Sequence, residues 1–470
     1  LPGPKTKAIL QRGIKYLRHG RSYEEDSTIA KNKGSLPPAQ LLVAKAKGDY
    51  VWDHDGNKFI DFQNGWATNP LGNCHPEIIE AVYGAMKQYG YQWEHPLRFE
   101  LAEKLLETMP GQELCRASFE VSGTEAVEAA IHMALCHKKA RYVIGFTSSF
   151  HGESLGAKVI SGYNGENNLY MEAWSGGVIK APYPYTENIP AGMTSEQYVK
   201  YCLWFLEEHI PRYITPIENV AAVLIEPGLA EGGNWIPSVK FLQGIRKICD
   251  RYGWLLIIDE VLTGLGRTGK MWAVEHYNVT PDILIAGKSL SGGIEPCAAV
   301  TATDEILGNN RRATSGSTFA GTPTGCAAAL KTLEIYKRDR ILDNVLKLGA
   351  IARKHMAEWA EKYEIVGEVR TNGLLMGVSF KSPDSNSSNS PACRSTGYHI
   401  ARAVRNHMMN NGVFAICIAV PVIRFYPALN MAEETLIEGL TIMEESIAYI
   451  EKHGSRIDFY PPLPTGNVGF

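Results

Sequence analysis

The chain has 470 residues, 45% hydrophobic and 21% charged, with a formal net charge of −3. That length exceeds what one hydrophobic core serves and predicts two or three domains of a globular protein, while the near balance of charge excludes an electrostatic nucleic-acid binder. No apolar run reaches the roughly 18 to 20 residues of a spanning helix, and nine cysteines without a CxxC pair fit a reducing compartment better than a disulfide framework. A cytoplasmic protein is expected.

The opening LPGPKTKAILQRGIKYL reads as a Pro-Gly turn leading into an amphipathic helix, without the apolar centre of a signal peptide. From about residue 41 to 62, LLVAKAKGDYVWDHDGNKFIDF alternates apolar and polar residues around DHDGN. That predicts strand, turn and strand, with Asp-Gly supplying a positive φ. NPLGNCHPEIIEAVYGAMKQYG then runs through a Gly/Asn loop into a helix opened by Pro76. From about 100 to 330, helical stretches such as FELAEKLLETM and TEAVEAAIHMALCHKKA alternate with short apolar runs, among them RYVIGF, AAVLIEP and WLLIIDE. Short buried runs separated by helices predict an α/β domain whose mostly parallel sheet is covered on both faces. After Thr322-Pro323 come a long helix, GCAAALKTLEIYKR, and shorter alternating segments. The Ser/Asn/Pro-rich KSPDSNSSNSPACRS, at 381 to 395, is expected to be an exposed loop. The expected division is 1–75 contributing to a small domain, 76–325 as the large domain, and 326–470 completing the small α+β one.

Four segments carry chemistry. WLLIIDEVLTGLGRTG ends a buried run in Asp259-Glu260, at the kind of strand end where open α/β sheets bind ligands. A buried acid needs a partner, and either a protonated ring nitrogen of a cofactor or a structural arginine such as Arg267 would serve. PDILIAGKSLSGG delivers Lys288 at the end of another apolar run. Desolvation there lowers an amine's pKa and makes it a usable nucleophile, whereas an isolated lysine is ordinarily a solvated charge. FEVSGTEAVEAA places Ser122, Gly123 and Thr124 at a helix start. Free N–H groups, the dipole and two hydroxyls make a phosphate cradle; by itself the segment reads equally as a plain N-cap with Glu125 in the first turn. SSFHGES sets Phe150 and His151 just after RYVIGF, where an aromatic face can stack on a flat ring. Cys297, after a Gly-rich turn, is read as a packing residue.

In this order and spacing the segments resemble the class III aminotransferases, the pyridoxal-phosphate family that includes the ornithine and 4-aminobutyrate aminotransferases. The resemblance spans nearly the whole chain: GDYVWDHDGNKFIDF, LGNCHP, SGTEA, FHG, IEPGLAEGG, DEVLTGLGRTG, AGKSLSGG, GSTFAGTP and IRFYPAL. It implies a fold-type I enzyme, with a large domain built on a mostly parallel sheet and a smaller α+β domain. It implies pyridoxal 5'-phosphate as cofactor, no metal, no membrane, and a homodimer with shared active sites that can pair further into a tetramer. The implied Schiff-base and proton-carrying residue is Lys288, and the pyridinium partner is Asp259. Phe150 stacks on the ring, with His151 and Leu262 beside it. Ser122, Gly123 and Thr124 form the phosphate cradle, which Thr318 of the other subunit completes. Glu226 matches a cofactor-side acid that holds local structure. Arg424 matches the arginine that grips a substrate carboxylate, and Glu231 the acid that pairs with it when the substrate has none.

The chain departs from the family pattern at Leu262 and Leu229, each standing where a Gln is usual, and carries Trp66 and Trp93 in the segments that line the substrate pocket. Together they imply a less polar pocket than the 4-aminobutyrate type. The implied function is ping-pong transfer from an amine or ω-amino acid to an oxo acid such as 2-oxoglutarate or pyruvate. A racemase or epimerase on the same scaffold is the alternative, and a non-catalytic cofactor-binding regulator is disfavoured because Lys288 and Asp259 are both present.

Overall fold

The computed structural model describes residues 3–16, 41–162, 171–186, 189–308, 316–381, 391–417 and 420–453. The chain divides into two compact units, Ala67–Leu346 and Leu1–Trp66 with Lys347–Phe470.

The smaller unit starts with the helix Pro4–Tyr16, whose first amides are capped from a distance: Asp55 accepts from the N–H of Lys5 (2.9 Å) and Thr6 (3.0 Å). Strands β1 (Val43–Lys47), β2 (Tyr50–Asp53) and β3 (Lys58–Asp61) then form an antiparallel meander. The segment 41 to 62 thus holds three strands where two were expected, because Gly48 at φ 55° adds a turn before DHDGN. In DHDGN itself, Asp53 accepts the amides of Asp55 (2.9 Å) and Asn57 (2.8 Å) and Gly56 takes φ 91°.

The larger unit carries a seven-stranded sheet. In chain order its strands are β4 (Arg116–Glu120), β5 (Tyr142–Phe146), β6 (Val178–Ala181), β7 (Val220–Ile225), β8 (Leu255–Asp259), β9 (Ile283–Ala286) and β10 (Ala298–Ala302). They lie in the order β4-β10-β9-β8-β7-β5-β6. β10 is antiparallel to both its neighbours, and the remaining pairings described are parallel. β7, β8 and β9 are buried at every position, which is why they read as unbroken apolar runs. The helix Gly123–Lys138 lays Ala126, Val127, Ala129, Ala130, Met133 and Ala134 on the sheet; its small residues let it approach closely. Each larger apolar side chain buried this way is worth about 1.5–3 kcal/mol.

The unit boundary falls after Leu346, beyond the expected 325. The helix Pro323–Arg338, capped by Thr322, packs its buried Cys326, Ala328, Ala329 and Ile335 face on the helices Pro76–Tyr89 and Pro96–Leu106 and so belongs to the larger unit. The smaller unit is completed by β11 (Val366–Asn372), β12 (Leu375–Phe380), β13 (Val413–Phe414) and β14 (Val422–Phe425), with β11-β12-β14 forming one antiparallel sheet and β13 joining β3 in parallel. Most of the expected loop at 381–395 lies outside the described residues, but its end, from Pro391, opens a helix that runs to Asn410. Among the described residues no helix is long and apolar enough to cross a membrane, and no cluster of side chains suits a metal ion.

Candidate active site

Three adjacent parallel strands end together. β7 pairs β8 with Ile225 opposite Ile258, and β8 pairs β9 with Asp259 opposite Ile285. Their carboxyl ends therefore deliver Glu226, Asp259 and Lys288 side by side, at the kind of edge where such sheets bind ligands. β5 leads into the loop that carries Phe150 and His151.

These loops are locked by buried polar contacts. His151 Nδ1 lies 2.8 Å from Asp259 Oδ2, with Asp259 5% exposed, and Asp259 Oδ1 accepts the Val261 amide at 3.0 Å. Asp259 is thus met by a histidine, and not by the arginine that the sequence left open. Glu226 Oε1 accepts the Phe150 amide at 2.8 Å and Oε2 the Ala230 amide at 3.0 Å, so this acid ties two loops together. Burial first, and the Asp259 charge second, push its pKa up to about 8, while the Lys288 charge pulls the other way. Burial likewise pushes Glu260 up to about 7; it faces a different loop, accepting from Thr263 Oγ1 and the Val274 amide. So much buried acid calls for a cation. His151 Nε2 is buried with no hydrogen-bond partner among the described residues. A protonated pyridine ring beside Asp259 fits the first of these observations.

Lys288 heads a single 3-10 turn, Lys288–Ser291, with its backbone at φ 41°. A left-handed non-glycine residue costs roughly 1–2 kcal/mol, and such strain gathers at functional sites. The turn is anchored by Ser289 Oγ donating to the Ala67 carbonyl at 3.0 Å.

Ser122 is the N-cap of the helix Gly123–Lys138, and Glu125 reaches back to the Val121 amide at 3.1 Å. The plain capping role is therefore present; the first amides of a helix are also the kind of donors that can hold a phosphate. The space around it is tight. A Cβ on Gly123 would lie 2.9 Å from Val261 Cγ1, and one on Gly152, at φ 133°, would lie 2.1 Å from Thr124 Oγ1. Thr124 Oγ1 also meets Ser154 Oγ at 2.6 Å, and Ser154 Oγ donates to Glu128 Oε1 at 2.7 Å.

Phe150 is half-buried in this loop, and Leu262 is buried close behind Asp259 in the sequence. Glu231 is buried in a tight loop closed by the Leu229–Trp235 bridge. Thr318 is exposed, and its carbonyl accepts from the Tyr91 hydroxyl. Arg424 and Trp66 belong to the smaller unit. Arg424 is fully buried on β14. Trp66 is 39% exposed and sits in a left-handed turn, with Asn64, Gly65, Trp66 and Ala67 at φ 53°, 60°, 61° and 65°. Cys297 is buried beside Cys326, and burial raises its thiol pKa, which suits a packing role. Sequence reasoning missed Ser154 and Ser161, which bond to Thr124 and to the His151 amide, and Glu128, which accepts from Ser154 Oγ and the amides of Gly156 and Ala157. The serines' one signal is a polar residue at a helix end; Glu128, inside its helix, gives none.

The chain matches the Aminotransferase class-III family over residues 30–447. A probable 4-aminobutyrate aminotransferase of Bacillus subtilis is 31% identical across 88% of this chain and 95% of its own length. A leucine/methionine racemase of Thermococcus litoralis is 30% identical across 93% and 97% respectively. The crystal structure of a PLP-bound amine transaminase from an uncultivated Pseudomonas species superposes with a TM-score of 0.80 at 26% identity, over 87% of this chain and 95% of that one. The chain belongs to the class-III aminotransferases, and it is a fold-type I transaminase whose cofactor is pyridoxal phosphate.

Proposed function

We propose that this transaminase takes its amino group from an amine or ω-amino acid and gives it to an oxo acid such as 2-oxoglutarate or pyruvate, in two half-reactions at one site. The observation that carries the reading is the buried contact of His151, in the loop after β5, with Asp259, which ends β8 beside the strand that leads to Lys288. Pyridoxal phosphate supplies, when bound, a sink for the electron pair left as the substrate Cα–H bond breaks. Asp259 would hold it at the ring nitrogen, as a carboxylate favouring positive charge there. His151 fixes the rotation of that carboxylate. Lys288 Nζ would hold it covalently and would move the proton at the amine-bearing carbon of the substrate. Phe150 offers an apolar face, Leu262 and Leu229 offer no hydrogen bond, and the amides of Ser122, Gly123 and Thr124 would hold the phosphate.

Arg424 would grip the oxo-acid carboxylate with two parallel hydrogen bonds, the role of the family arginine it matches, and Glu231 matches the acid the family uses when the donor has no carboxylate. Leu229, Trp66 and Trp93 favour a donor with an apolar body. A homodimer completes the site, Thr318 of the second copy reaching the phosphate. Supporting this, the larger unit leaves Ile79, Tyr83 and Met86 exposed along one helix face, and Tyr91 and Phe319 exposed with ring centroids 5.2 Å apart. Exposed apolar groups in such numbers mark interaction surfaces.

The test is the near-ultraviolet and visible spectrum of the holoenzyme during single additions. An ω-amine should convert the aldehyde band to the pyridoxamine form, and an oxo acid should restore it. A band that survives while an added amino acid loses optical purity would replace transfer by racemization, the reaction named for the Thermococcus relative.

A further inference from the structure

Lys180 lies on β6, the edge strand of the sheet, between the buried Ile179 and Ala181. Its Nζ donates to the backbone carbonyls of Ile160 and Ser161, the latter at 2.7 Å. Burial pushes its pKa down to about 7, and among the described residues no carboxylate contributes to that shift. Holding an ammonium out of water without an acid is unfavourable. The two carbonyls close the helix Leu155–Ile160, and helix ends are ordinarily satisfied by glycine turns or water at far less cost. A costly cation here therefore asks what the segment 160–162 does.

That segment is the template on which the cofactor-facing loop is built. Ser161 Oγ donates to the Ala157 carbonyl at 2.7 Å and accepts the His151 amide at 2.8 Å. The Gly162 amide donates to the Ser149 carbonyl at 2.9 Å, and the Ser148 amide donates to the Gly162 carbonyl at 2.7 Å. The two segments are so close that a Cβ on Gly162 would lie 2.1 Å from the Phe146 carbonyl oxygen. His151, fixed through its amide, then sets its imidazole against Asp259 at 2.8 Å. Each link from Lys180 to Asp259 is a hydrogen bond or a covalent step within one residue.

We propose that Lys180 is a positioning residue for the His151–Asp259 pair, acting through Ser161, so that the acid opposite the cofactor's ring nitrogen keeps its orientation. The inference rests on the proposed placement of Asp259 at that nitrogen. Lys180 touches neither substrate nor cofactor in this role. It holds the carbonyl side of Ser161 while the Ser161 hydroxyl holds His151.

The experiment is a pH titration of the long-wavelength cofactor band in holoenzyme variants, with thermal midpoint and steady-state constants measured alongside. Lys180→Met, which keeps the side chain's length without its donors, is expected to shift the band's apparent pKa by about half a unit or more, a factor of about three in the equilibrium. It should lower kcat while leaving the donor KM nearly unchanged, and Lys180→Arg should recover part of the loss. Ser161→Ala removes the nearer link, is expected to shift the band in the same sense, and decides the matter if Lys180→Met does not fold. A wild-type titration in folded Lys180→Met, with only the thermal midpoint lowered, overturns the proposal; so does one in Ser161→Ala if Lys180→Met does not fold. Asp259→Asn separates the two readings. A shift there beside an unshifted Lys180→Met removes the role of Lys180 and leaves that of Asp259, whereas no shift in Asp259→Asn removes both.

Discussion

Asp259 and Lys288 were legible as single residues because each is a polar group at the end of an otherwise apolar run, where burial makes an unexplained charge costly. What the sequence left open was the partner of Asp259, and the structure answers with His151. Asp259→Asn keeps the shape and removes the charge, so kcat should fall about 10²-fold or more, roughly 3 kcal/mol of barrier, while the cofactor survives desalting. Wild-type kcat in that variant would contradict the assignment. Arg424→Ala should raise the KM for the oxo acid about 10-fold or more, the worth of a hydrogen-bonded charge pair, and an unchanged KM would remove the carboxylate anchor. Lys180 and Ser161 escaped notice because they act on backbone atoms of a segment distant in sequence, and no residue pattern records such contacts.

The central strands were readable as elements, since burial on both faces leaves an unbroken apolar signature. The reversed direction of β10 was not, because an apolar run carries no sense of direction. The helix Pro323–Arg338 was assigned to the other domain for a related reason: its small-residue face names no partner until the helices it packs on are in place. The helix from Pro391 was hidden under a loop-like composition. The loop carrying Phe150 and the start of the helix Gly123–Lys138 fit together only because Gly152 has no Cβ and sits at φ 133°. Gly152→Ala must shift one against the other. It should weaken pyridoxal-phosphate binding about 10-fold or more, read by titrating the apoenzyme, since 1–3 kcal/mol is the usual cost of overpacking. Unchanged affinity would mean that the two elements are not rigidly coupled.

At the scale of the whole molecule, three buried ionisable groups give the cofactor-free protein an unusual pH dependence. Glu260 and Glu226 titrate at about 7 and about 8 in the folded chain, above their ordinary 4.5. The folded state thus binds the extra protons, and the stability they contribute is complete below pH 4.5 and lost as pH rises through about 7 and then 8. Lys180, lowered from 10.5 to about 7, acts in the opposite sense: the unfolded chain holds the proton, and stability returns between about 7 and 10.5. The thermal midpoint of the apoprotein should therefore fall from pH 4.5 to about 7, stay level to about 8 while Glu226 and Lys180 offset one another, and recover above that, with Glu226→Gln halving the fall and starting the recovery near 7. A midpoint that rose steadily across that range would contradict these buried charges.

We propose Lys288, at the strained turn after β9, as the amine that carries the cofactor. The direct measurement is borohydride reduction of the holoenzyme followed by proteolysis and mass spectrometry of the modified peptide. The added pyridoxyl mass is expected on Lys288 within the segment PDILIAGKSLSGG. The mass on another lysine, above all on Lys180 with its pKa of about 7, would contradict it.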